Sequence, residues 1–397
     1  MKGPMSTLAV LHIGTKKTGT TYLQNLLIHN QQVLADAGWT YPDFLDRRNH
    51  LTIALPFAAN KDTEIHRAQE LTTEEANAAL VAEFDKQFTA LVKPGDKWVF
   101  SSEFFASRLK TQAEVGACVG FLRKYFDEVK VVVYYRRPEF MVPSTYSQSV
   151  KEGLSRDLDM GYVERHRNDY AHLELLTRWQ DVVGAANVTA RPYLERFRSD
   201  SRAMVDDFCA AVGIEPKTDW VEPTESASNH SLGTEGLQVL RTINFYFPRP
   251  GTTYTRPIVR QRAAVARRVQ ATTGGGKVGL TEVMTTALLA KFEQSNKELT
   301  AHVSGPGWDE WLNQPAPTPV GPMPITMTNA QIAAAIIGIV DREEKISAAF
   351  VAQIIARLSK PAGVVDWNDP KGHPDLDGWR RKARTARTKM RAALKGK

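Results

Sequence analysis

The chain has 397 residues, of which 42% are hydrophobic and 24% are charged, values that are ordinary for a soluble protein with a sizeable core. Its net charge of +7 comes from residues 380–397, which hold nine Lys or Arg and no acidic residue. The rest of the chain has 42 basic and 44 acidic side chains. The charge therefore does not indicate a nucleic-acid-binding main domain, and we expect no nucleic-acid partner for it.

The two cysteines, Cys118 and Cys209, lie in amphipathic helical patterns without metal-ligand spacing around them. We therefore expect two buried thiols, no disulfide and no metal site. No apolar run approaches the ~20 residues that span a bilayer, and no signal-peptide pattern opens the chain. These features predict a cytoplasmic protein.

A strand, a glycine-containing loop and a helix are predicted first. Five of the seven residues 8–14 are apolar, which predicts a buried strand, and apolar residues at helical spacing run from Tyr22 to about Ala37. Gly14 and Gly19 lie in the loop between them. The first amides of a helix have no intrahelical partner and bind an anion placed before them, so this layout predicts a phosphate site.

The loop departs from the pattern of a nucleoside triphosphate site, GxxxxGK[ST]. Gly14 and Gly19 keep the glycine spacing, but Thr20 and Thr21 follow, and the lysine stands earlier, as Lys17. The loop thus suits a phosphate-like anion but lacks the usual lysine for a β/γ-phosphate and the usual magnesium arrangement. The alternative is a plain glycine turn between a strand and a helix.

The segment KKTGTT resembles the PKSGTT loop of the sulfotransferase family, with Lys16 in place of the family's proline. In that family the loop holds the 5′-phosphosulfate of the cofactor PAPS, 3′-phosphoadenosine 5′-phosphosulfate. The resemblance implies that Lys17 is catalytic and offsets negative charge on the departing phosphate. The cofactor-binding residues that it implies are Lys16, Lys17, Thr18, Gly19, Thr20 and Thr21.

Residues 39–70 have no regular period, and we expect them to line an acceptor pocket beside the loop. His50 is the catalytic candidate there; the alternative is a structural hydrogen bond in a loop. Thr72 is predicted to cap the next helix, whose apolar stripe runs from Leu80 to Leu91.

Two further strands are predicted at Lys97–Ser101 and at residues 129–135, with a helix between them. The alternation predicts an α/β fold, a parallel sheet with helices on both faces. Ligands of such sheets bind at the carboxyl ends of the strands. Gly14, Glu103 and Arg136 stand at the three strand ends, so we expect them to converge on one edge of the sheet.

The third strand leads into a second motif. Sulfotransferases bind the 3′-phosphate of PAPS with an arginine at the end of this strand and a serine eight residues later, in a pattern like RNPxxxxxS. Arg136, Pro138 and Ser144 match this pattern, and Arg137 replaces the family's Asn or Asp. The resemblance implies that Arg136 and Ser144 bind the 3′-phosphate, for which a guanidinium and a hydroxyl are suitable donors.

Glu103 follows the strand between the two phosphate motifs. In many sulfotransferases this strand leads to the catalytic base, a histidine reached through K-[ST]-H in the cytosolic branch, whereas this chain has Ser101-Ser102-Glu103. Other branches use a glutamate, so the resemblance implies that Glu103 takes the proton of the acceptor. The alternatives are a cap on the following helix or an ion pair with Lys17.

The resemblance covers residues 5–245 in element order and implies a P-loop-like sulfotransferase fold. Lys151 and Gln148 are expected near the acceptor or cofactor, and no R-K-G string marks the family's closing loop. Five prolines in residues 314–327 indicate a linker. The predicted organisation is an α/β domain, a Pro-rich linker and a helical extension, at residues 1–312, 313–327 and 328–397.

Within the extension, residues 379–394 place Trp379, Ala383, Ala386, Met390 and Leu394 on one helical face between basic residues, as in a basic amphipathic helix. Such a helix suits peripheral contact with an anionic membrane, a nucleic acid or an acidic partner. The alternative is a solvated tail. The sequence does not indicate the oligomeric state.

Together with these features, the resemblance implies a PAPS-dependent sulfotransferase that moves a sulfuryl group to an acceptor hydroxyl or amine without a metal. By analogy with the glutamate-base branches we expect a carbohydrate or glycolipid acceptor. One alternative is a P-loop kinase that uses ATP. Such a kinase requires a lysine directly after Gly19 and an acidic magnesium ligand. The other is a non-catalytic nucleotide-binding scaffold whose basic tail binds a membrane or nucleic acid.

Overall fold

The computed structural model describes residues 6–43, 49–215, 220–223, 232–246, 263, 265–271, 273–320 and 332. The predicted linker is therefore described only up to residue 320. The predicted helical extension, apart from Ile332, and its basic tail lie outside the described residues. The domain boundaries stay predictions.

The sheet confirms the predicted α/β class. Its strands are β1 (Leu8–His12), β2 (Lys97–Ser101), β3 (Glu128–Tyr135) and β4 (Val188–Pro192). All neighbours are parallel, and the order is β2-β1-β3-β4. The chain thus passes from β1 to β2 on one side and then crosses to β3 on the other side of β1. The connections that leave β1 and β3 diverge, which opens a crevice at their carboxyl ends.

Helices fill most of the connections. In chain order they are α1 (Thr20–His29), α2 (Gln31–Asp36), α3 (Leu51–Ala54), α4 (Glu64–Ala68), α5 (Glu74–Leu91), α6 (Glu103–Arg108), α7 (Gln112–Leu122), α8 (Pro138–Lys151), α9 (Met160–Arg165), α10 (His172–Val183), α11 (Ser201–Val212), α12 (Thr234–Tyr246), α13 (residues 265–271), α14 (Glu282–His302) and α15 (Trp308–Asn313). The long connections that parallel strands require are therefore made by helices.

Helices cover both faces of the sheet. Successive side chains of a strand point to opposite faces, and β3 shows this at its end. The hydroxyl of Tyr134 donates to Asp207 of α11 (2.7 Å), whereas the ring of Tyr135 lies 5.0 Å from that of His172, the first residue of α10. Because α10 and α11 lie on opposite faces, the strands are buried on both sides and carry nearly continuous apolar runs.

A second cluster of buried side chains fixes helix α8 against the helices that follow β4. Met141 of α8 belongs to it with Leu240 of α12, Val269 of α13 and Leu288 of α14. Burial of this face of α8 leaves half-buried Ser144 on the side towards the sheet edge.

The first helix ends earlier than the apolar pattern predicts. Asn30 has left the helical region (φ −114°, ψ 28°), and its side-chain amide donates to the carbonyls of Leu26 and Val221, each at 2.8 Å. A contact with a residue far along the chain thus divides the predicted helix into α1 and α2.

Two predictions about α5 are wrong in detail. Its N-cap is Thr73 rather than Thr72, because the hydroxyl of Thr73 accepts the amide of Ala76 (3.2 Å). Leu91, predicted at the end of the apolar stripe, is 49% exposed, whereas Phe88 is buried. The stripe therefore ends one turn before the helix does.

The prediction of two buried thiols is confirmed, since Cys118 and Cys209 are free and buried. Burial raises the pKa of the Cys209 thiol to about 11, so the thiol stays protonated near neutral pH. Within the described part of the chain, no helix is both long enough and apolar enough to cross a bilayer.

Candidate active site

A cavity of about 570 Å³ opens at the carboxyl edge of the sheet, a volume suited to a small-molecule site. Residues that follow each of the four strands line it: the loop after β1, Glu103 after β2, Arg136 after β3 and Tyr193 after β4. The structure thus brings most of the predicted site residues together. Those that line the cavity are Lys16, Lys17, Gly19, Thr20, Thr21, Glu103, Arg136 and Ser144.

Basic groups outnumber acidic groups around the cavity. The basic ones are Lys16, Lys17, Arg108, Arg136, Lys151 and Arg198, and the acidic ones are Glu103, Glu152 and Asp169. Cations that line a cleft with low-dielectric walls raise the local concentration of anions. The cavity is therefore suited to an anionic ligand.

The loop after β1 adopts a conformation that needs its glycines. Gly14 (φ 46°) and Gly19 (φ 76°) have left-handed backbone angles, which glycine adopts without a steric penalty. Lys17 is also left-handed (φ 66°), which is uncommon for a residue with a side chain. The hydroxyl of Thr15 donates to Tyr134 O (2.8 Å) and fastens the loop to β3. Local strain of this kind concentrates at functional sites.

Helix α1 begins without a side-chain cap, directly at the cavity. Gly19 is its N-cap, and Leu23 makes the first backbone bond back to it, to Gly19 O at 3.0 Å. The amides before Leu23 have no intrahelical acceptor and carry the positive end of the helix dipole. Thr18 lies outside the cavity lining, and its hydroxyl donates to Thr15 O (2.7 Å) within the loop.

Lys17 lines the cavity, and the described part of the chain offers no counter-ion to it. Among the described residues no carboxylate lies within ion-pair distance of its ammonium, so the predicted alternative of a Lys17–Glu103 pair is not formed. Burial, together with the charges of Lys151, Lys16 and Arg136, lowers the pKa of Lys17 below that of an exposed lysine. An anion bound here would neutralise a charge that no described residue pairs with.

Lys16, the adjacent lysine, differs in this respect. Its ammonium forms a 2.8 Å ion pair with Asp169, and its side chain is 43% exposed. The two lysines of the loop therefore contribute differently to the cavity: Lys16 is paired at the rim, and Lys17 is half-buried and directed inside.

Arg136 is buried in the wall of the cavity. Its Nε and Nη2 donate to the two carboxylate oxygens of Glu195, at 2.5 and 2.7 Å, and its Nη1 lies 3.4 Å from Lys17 O. The guanidinium also lies 5.5 Å from the centre of the Tyr193 ring. Ser144 lines the same cavity from α8, so both predicted 3′-phosphate ligands face one space.

Arg137, which replaces the Asn or Asp of the family pattern, has a structural role. It is buried, pairs with buried Glu139, and its Nη1 donates to Leu312 O (3.0 Å) and Gln314 O (2.7 Å) at the end of α15. A cation at a helix C-terminus satisfies carbonyls that the helix leaves open. Arg137 thus fastens α15 to the core and does not line the cavity.

Glu103 is the first residue of α6, and its carboxyl group lines the cavity. Ser102 caps this helix, since its hydroxyl accepts the amide of Phe104 (3.3 Å). The capping alternative for Glu103 is therefore wrong. The side-chain amide of Gln24 donates to Glu103 Oε2 (3.3 Å), so the carboxylate of this cavity residue is held by one neighbour.

A buried polar network supports this carboxylate. Gln24 also lies 3.4 Å from the hydroxyl of Ser101, which is bonded to Nδ1 of His12 (2.8 Å) in β1. Burial lowers the pKa of His12 to about 3, so the ring is neutral near pH 7. The network therefore orients Gln24 without placing a cation under the Glu103 carboxylate.

His50 does not line the cavity, and both of its ring nitrogens are used. Nδ1 accepts the amide of Ser101 (2.9 Å), so Nε2 carries the proton and donates to Pro42 O (2.7 Å). Burial lowers its pKa to about 4. The structure therefore gives His50 the structural role that the sequence left open, and no free nitrogen for proton transfer.

Among the cavity residues that the sequence analysis missed are Arg108, Tyr193 and Arg198. It also missed Glu195, which pairs with Arg136 but does not itself line the cavity. Two of their positions carried a usable signal. Tyr193 directly follows β4, whose carboxyl end falls on the same sheet edge as the other strand ends. Arg108 lies five residues after Glu103 on a short helix that begins at this edge.

No protein-family model and no curated protein matches the sequence. The fold is similar to that of a sulfotransferase from Alicyclobacillus acidocaldarius, with 19% identity, a TM-score of 0.36, and coverage of 65% of this chain and 95% of that one. It is also similar to the sulfotransferase domain of the Synechococcus PCC 7002 olefin synthase, with 16% identity, a TM-score of 0.28, and coverage of 74% and 96%. A third is the sulfotransferase domain from the curacin biosynthetic pathway, with 9% identity, a TM-score of 0.32, and coverage of 74% and 99%.

Proposed function

We propose that this chain transfers a sulfuryl group from PAPS to a hydroxyl group of a carbohydrate or glycolipid. The observation that supports the proposal is that two separate sets of potential anion-binding groups line one cavity. One is the uncapped start of α1 with unpaired Lys17, and the other is Arg136 with Ser144. PAPS carries anionic groups at both its 5′ and 3′ positions and therefore suits two such sets.

The two sets have different tasks in this proposal. The amides at the start of α1 and the hydroxyls of Thr20 and Thr21 would bind the 5′-phosphosulfate. Arg136 and Ser144 would bind the 3′-phosphate and so hold the donor in position for attack. The cavity volume of about 570 Å³ is sufficient for a nucleotide and part of an acceptor.

The reaction needs a proton acceptor and a cation. Glu103 would take the proton of the acceptor hydroxyl as a new bond forms between that oxygen and sulfur. The bond from sulfur to the bridging oxygen breaks, and this oxygen keeps the electron pair on the product adenosine 3′,5′-bisphosphate. Lys17 would stabilise the charge that develops there, where a preorganised cation acts most strongly.

Calorimetric titration of adenosine 3′,5′-bisphosphate tests the donor assignment, with ATP and magnesium as the competing ligand. Wild type should bind the bisphosphate more tightly than ATP, and Arg136→Ala should weaken the bisphosphate at least tenfold, or about 1.4 kcal/mol. Arg123→Ala is the matched control, because Arg123 is exposed and lies outside the cavity lining. Preference for ATP would favour a kinase, and binding of neither nucleotide would contradict both enzymes.

A further inference from the structure

One face of the short helix α6 lies against the cavity. Glu103, Phe104, Ser107 and Arg108 all line it, and their spacing of one, four and five residues places them on one side of a helix. Phe105 points the other way and packs edge-on against Trp179, with ring centres 6.5 Å apart. The helix therefore presents the proposed base at its first residue and an arginine at its last.

Arg108 has no counter-ion within the ranges that the structure describes. Among the described residues its guanidinium makes no ion pair or hydrogen bond, and its Nε is buried without a partner. It lies 5.6 Å from the centre of the Phe104 ring. Burial lowers the pKa of Arg108, although Glu152, Glu64 and Asp169 oppose that effect. A half-buried guanidinium with open donors gains free energy from an anion that enters the cavity.

Two of these three acidic groups, Glu152 and Asp169, have other partners in the structure. Glu152 accepts the side-chain amide of Gln148 (2.9 Å), and Asp169 is paired with Lys16 (2.8 Å). Neither carboxylate forms an ion pair with Arg108. Arg108 thus lines the ligand space with a guanidinium that no described residue neutralises, which leaves an anion-binding position that the donor sites at Lys17 and Arg136 do not include.

We propose that Arg108 binds an anionic group of the acceptor, a carboxylate or a phosphate, while the acceptor hydroxyl lies at Glu103. The inference rests on the proposed function, because it places the acceptor relative to the base. Five residues of helix rise separate the backbones of Glu103 and Arg108 by about 7.5 Å along the helix axis. The acceptor class is therefore a hydroxyl compound that also carries a carboxylate or a phosphate.

The test compares sugars that differ in charge. Methyl β-D-glucuronide, glucose 6-phosphate and neutral methyl β-D-glucoside are titrated calorimetrically into protein saturated with adenosine 3′,5′-bisphosphate. At least one anionic sugar should bind tenfold or more tightly than the glucoside. A preference for the glucuronide would identify a carboxylate, and a preference for the phosphate ester would identify a phosphate.

Variants at position 108 locate the effect. Arg108→Gln should abolish the preference, Arg108→Lys should retain part of it as a point charge, and the exposed-site control Arg123→Gln should retain all of it. The affinity for the bisphosphate should stay within twofold of wild type in all three variants. A retained affinity also shows that each variant is folded.

Three results would overturn the inference: equal binding of all sugars, binding of none, or a preference that survives in Arg108→Gln. Failure of the proposed function has a different appearance, since the bisphosphate itself would then not bind to wild type. The sugars would in that case be titrated into the free protein, and the same comparison would decide the role of Arg108.

Discussion

Arg136 and Glu195 form a two-point ion pair at the wall of the cavity, with Nε to Oε1 at 2.5 Å and Nη2 to Oε2 at 2.7 Å. The arginine side chain is 5% exposed and the glutamate side chain 23% exposed. Parallel bonds of this kind are the strongest that arginine makes with a carboxylate. A phosphate that binds Arg136 must therefore share the guanidinium with Glu195 or displace it.

Replacement of Glu195 by Gln should lower the unfolding free energy of the ligand-free protein. It should also raise the affinity of the protein for adenosine 3′,5′-bisphosphate. The free protein loses a charge-assisted pair worth about 1.5–3 kcal/mol, because Arg136 stays buried without a charged partner. In the variant, a bound phosphate becomes the anionic partner of Arg136. No carboxylate at position 195 repels that phosphate. We expect a lower melting temperature without ligand and a several-fold lower Kd for adenosine 3′,5′-bisphosphate.

Glu310→Gln is the control for this prediction, because Glu310 is 47% exposed and pairs with Arg196 outside the cavity lining. An exposed pair of this type contributes little, so neither the melting temperature nor the Kd should change measurably. Weaker bisphosphate binding in Glu195→Gln would mean that Glu195 orients Arg136 for its ligand and does not compete with it.

The lowered pKa of Lys17 predicts a pH dependence of binding. Burial and the neighbouring cations make its ammonium lose the proton at a lower pH than an ordinary lysine. Since the bisphosphate binds the protonated form better, its affinity should fall as pH rises through this lowered pKa. Calorimetry between pH 7 and about pH 10.5, the ordinary lysine range, measures the decline.

Lys17→Met should bind more weakly and remove most of this decline, whereas Lys16→Met should keep it, because Lys16 is paired with Asp169 at the rim. Lys151 also lines the cavity, and burial lowers its pKa as well. If Lys151→Met rather than Lys17→Met flattens the profile, the titrating group has been assigned to the wrong lysine.

The two loop glycines offer a matched pair of substitutions. A β-carbon on Gly14 would overlap Cγ2 of Thr20, whereas one on Gly19 would lie 3.6 Å from the Tyr193 ring and 3.7 Å from Met204 Cε, which is ordinary contact. Both positions are left-handed, a strain of about 1–2 kcal/mol for alanine. Gly19→Ala should cost that strain alone, and Gly14→Ala should cost more and displace the start of α1.

Urea unfolding and bisphosphate titration measure both consequences of these substitutions. Gly14→Ala should show the larger loss of unfolding free energy and a much weaker affinity for the ligand. Similar losses in the two variants would contradict the argument, because they would mean that the Thr20 side chain moves aside without disturbing the helix start.

The parts of the fold that follow from local pattern were predictable. Lys97–Ser101 is a strand with the predicted bounds, since an apolar run after a Pro-Gly turn leaves few alternatives. The glycine loop and Arg136 were also found, because the strands that precede them are strongly apolar. Parallel strands then place such residues on one edge, whatever the details of the connections.

What the sequence did not reveal depends on contacts between distant segments. Glu195 becomes the partner of Arg136 because β4 lies beside β3, and strand order is not visible in a hydrophobic period. Asn30 ends α1 through a bond to Val221, which no local pattern encodes. Tertiary contacts of this kind override local propensity.

Arg137 allows a last prediction that separates stability from binding. Arg137→Met leaves buried Glu139 without its cation and removes the bonds to Leu312 O and Gln314 O, so it should cost about 3–5 kcal/mol of unfolding free energy. Glu139→Met should also be costly. The double variant should lose less than the two single losses combined, because it removes both buried charges together. Urea unfolding of the four proteins gives the coupling energy, and additive losses would show that the pair is not coupled. Bisphosphate affinity should change little, in contrast to Arg136→Ala, since Arg137 does not line the cavity.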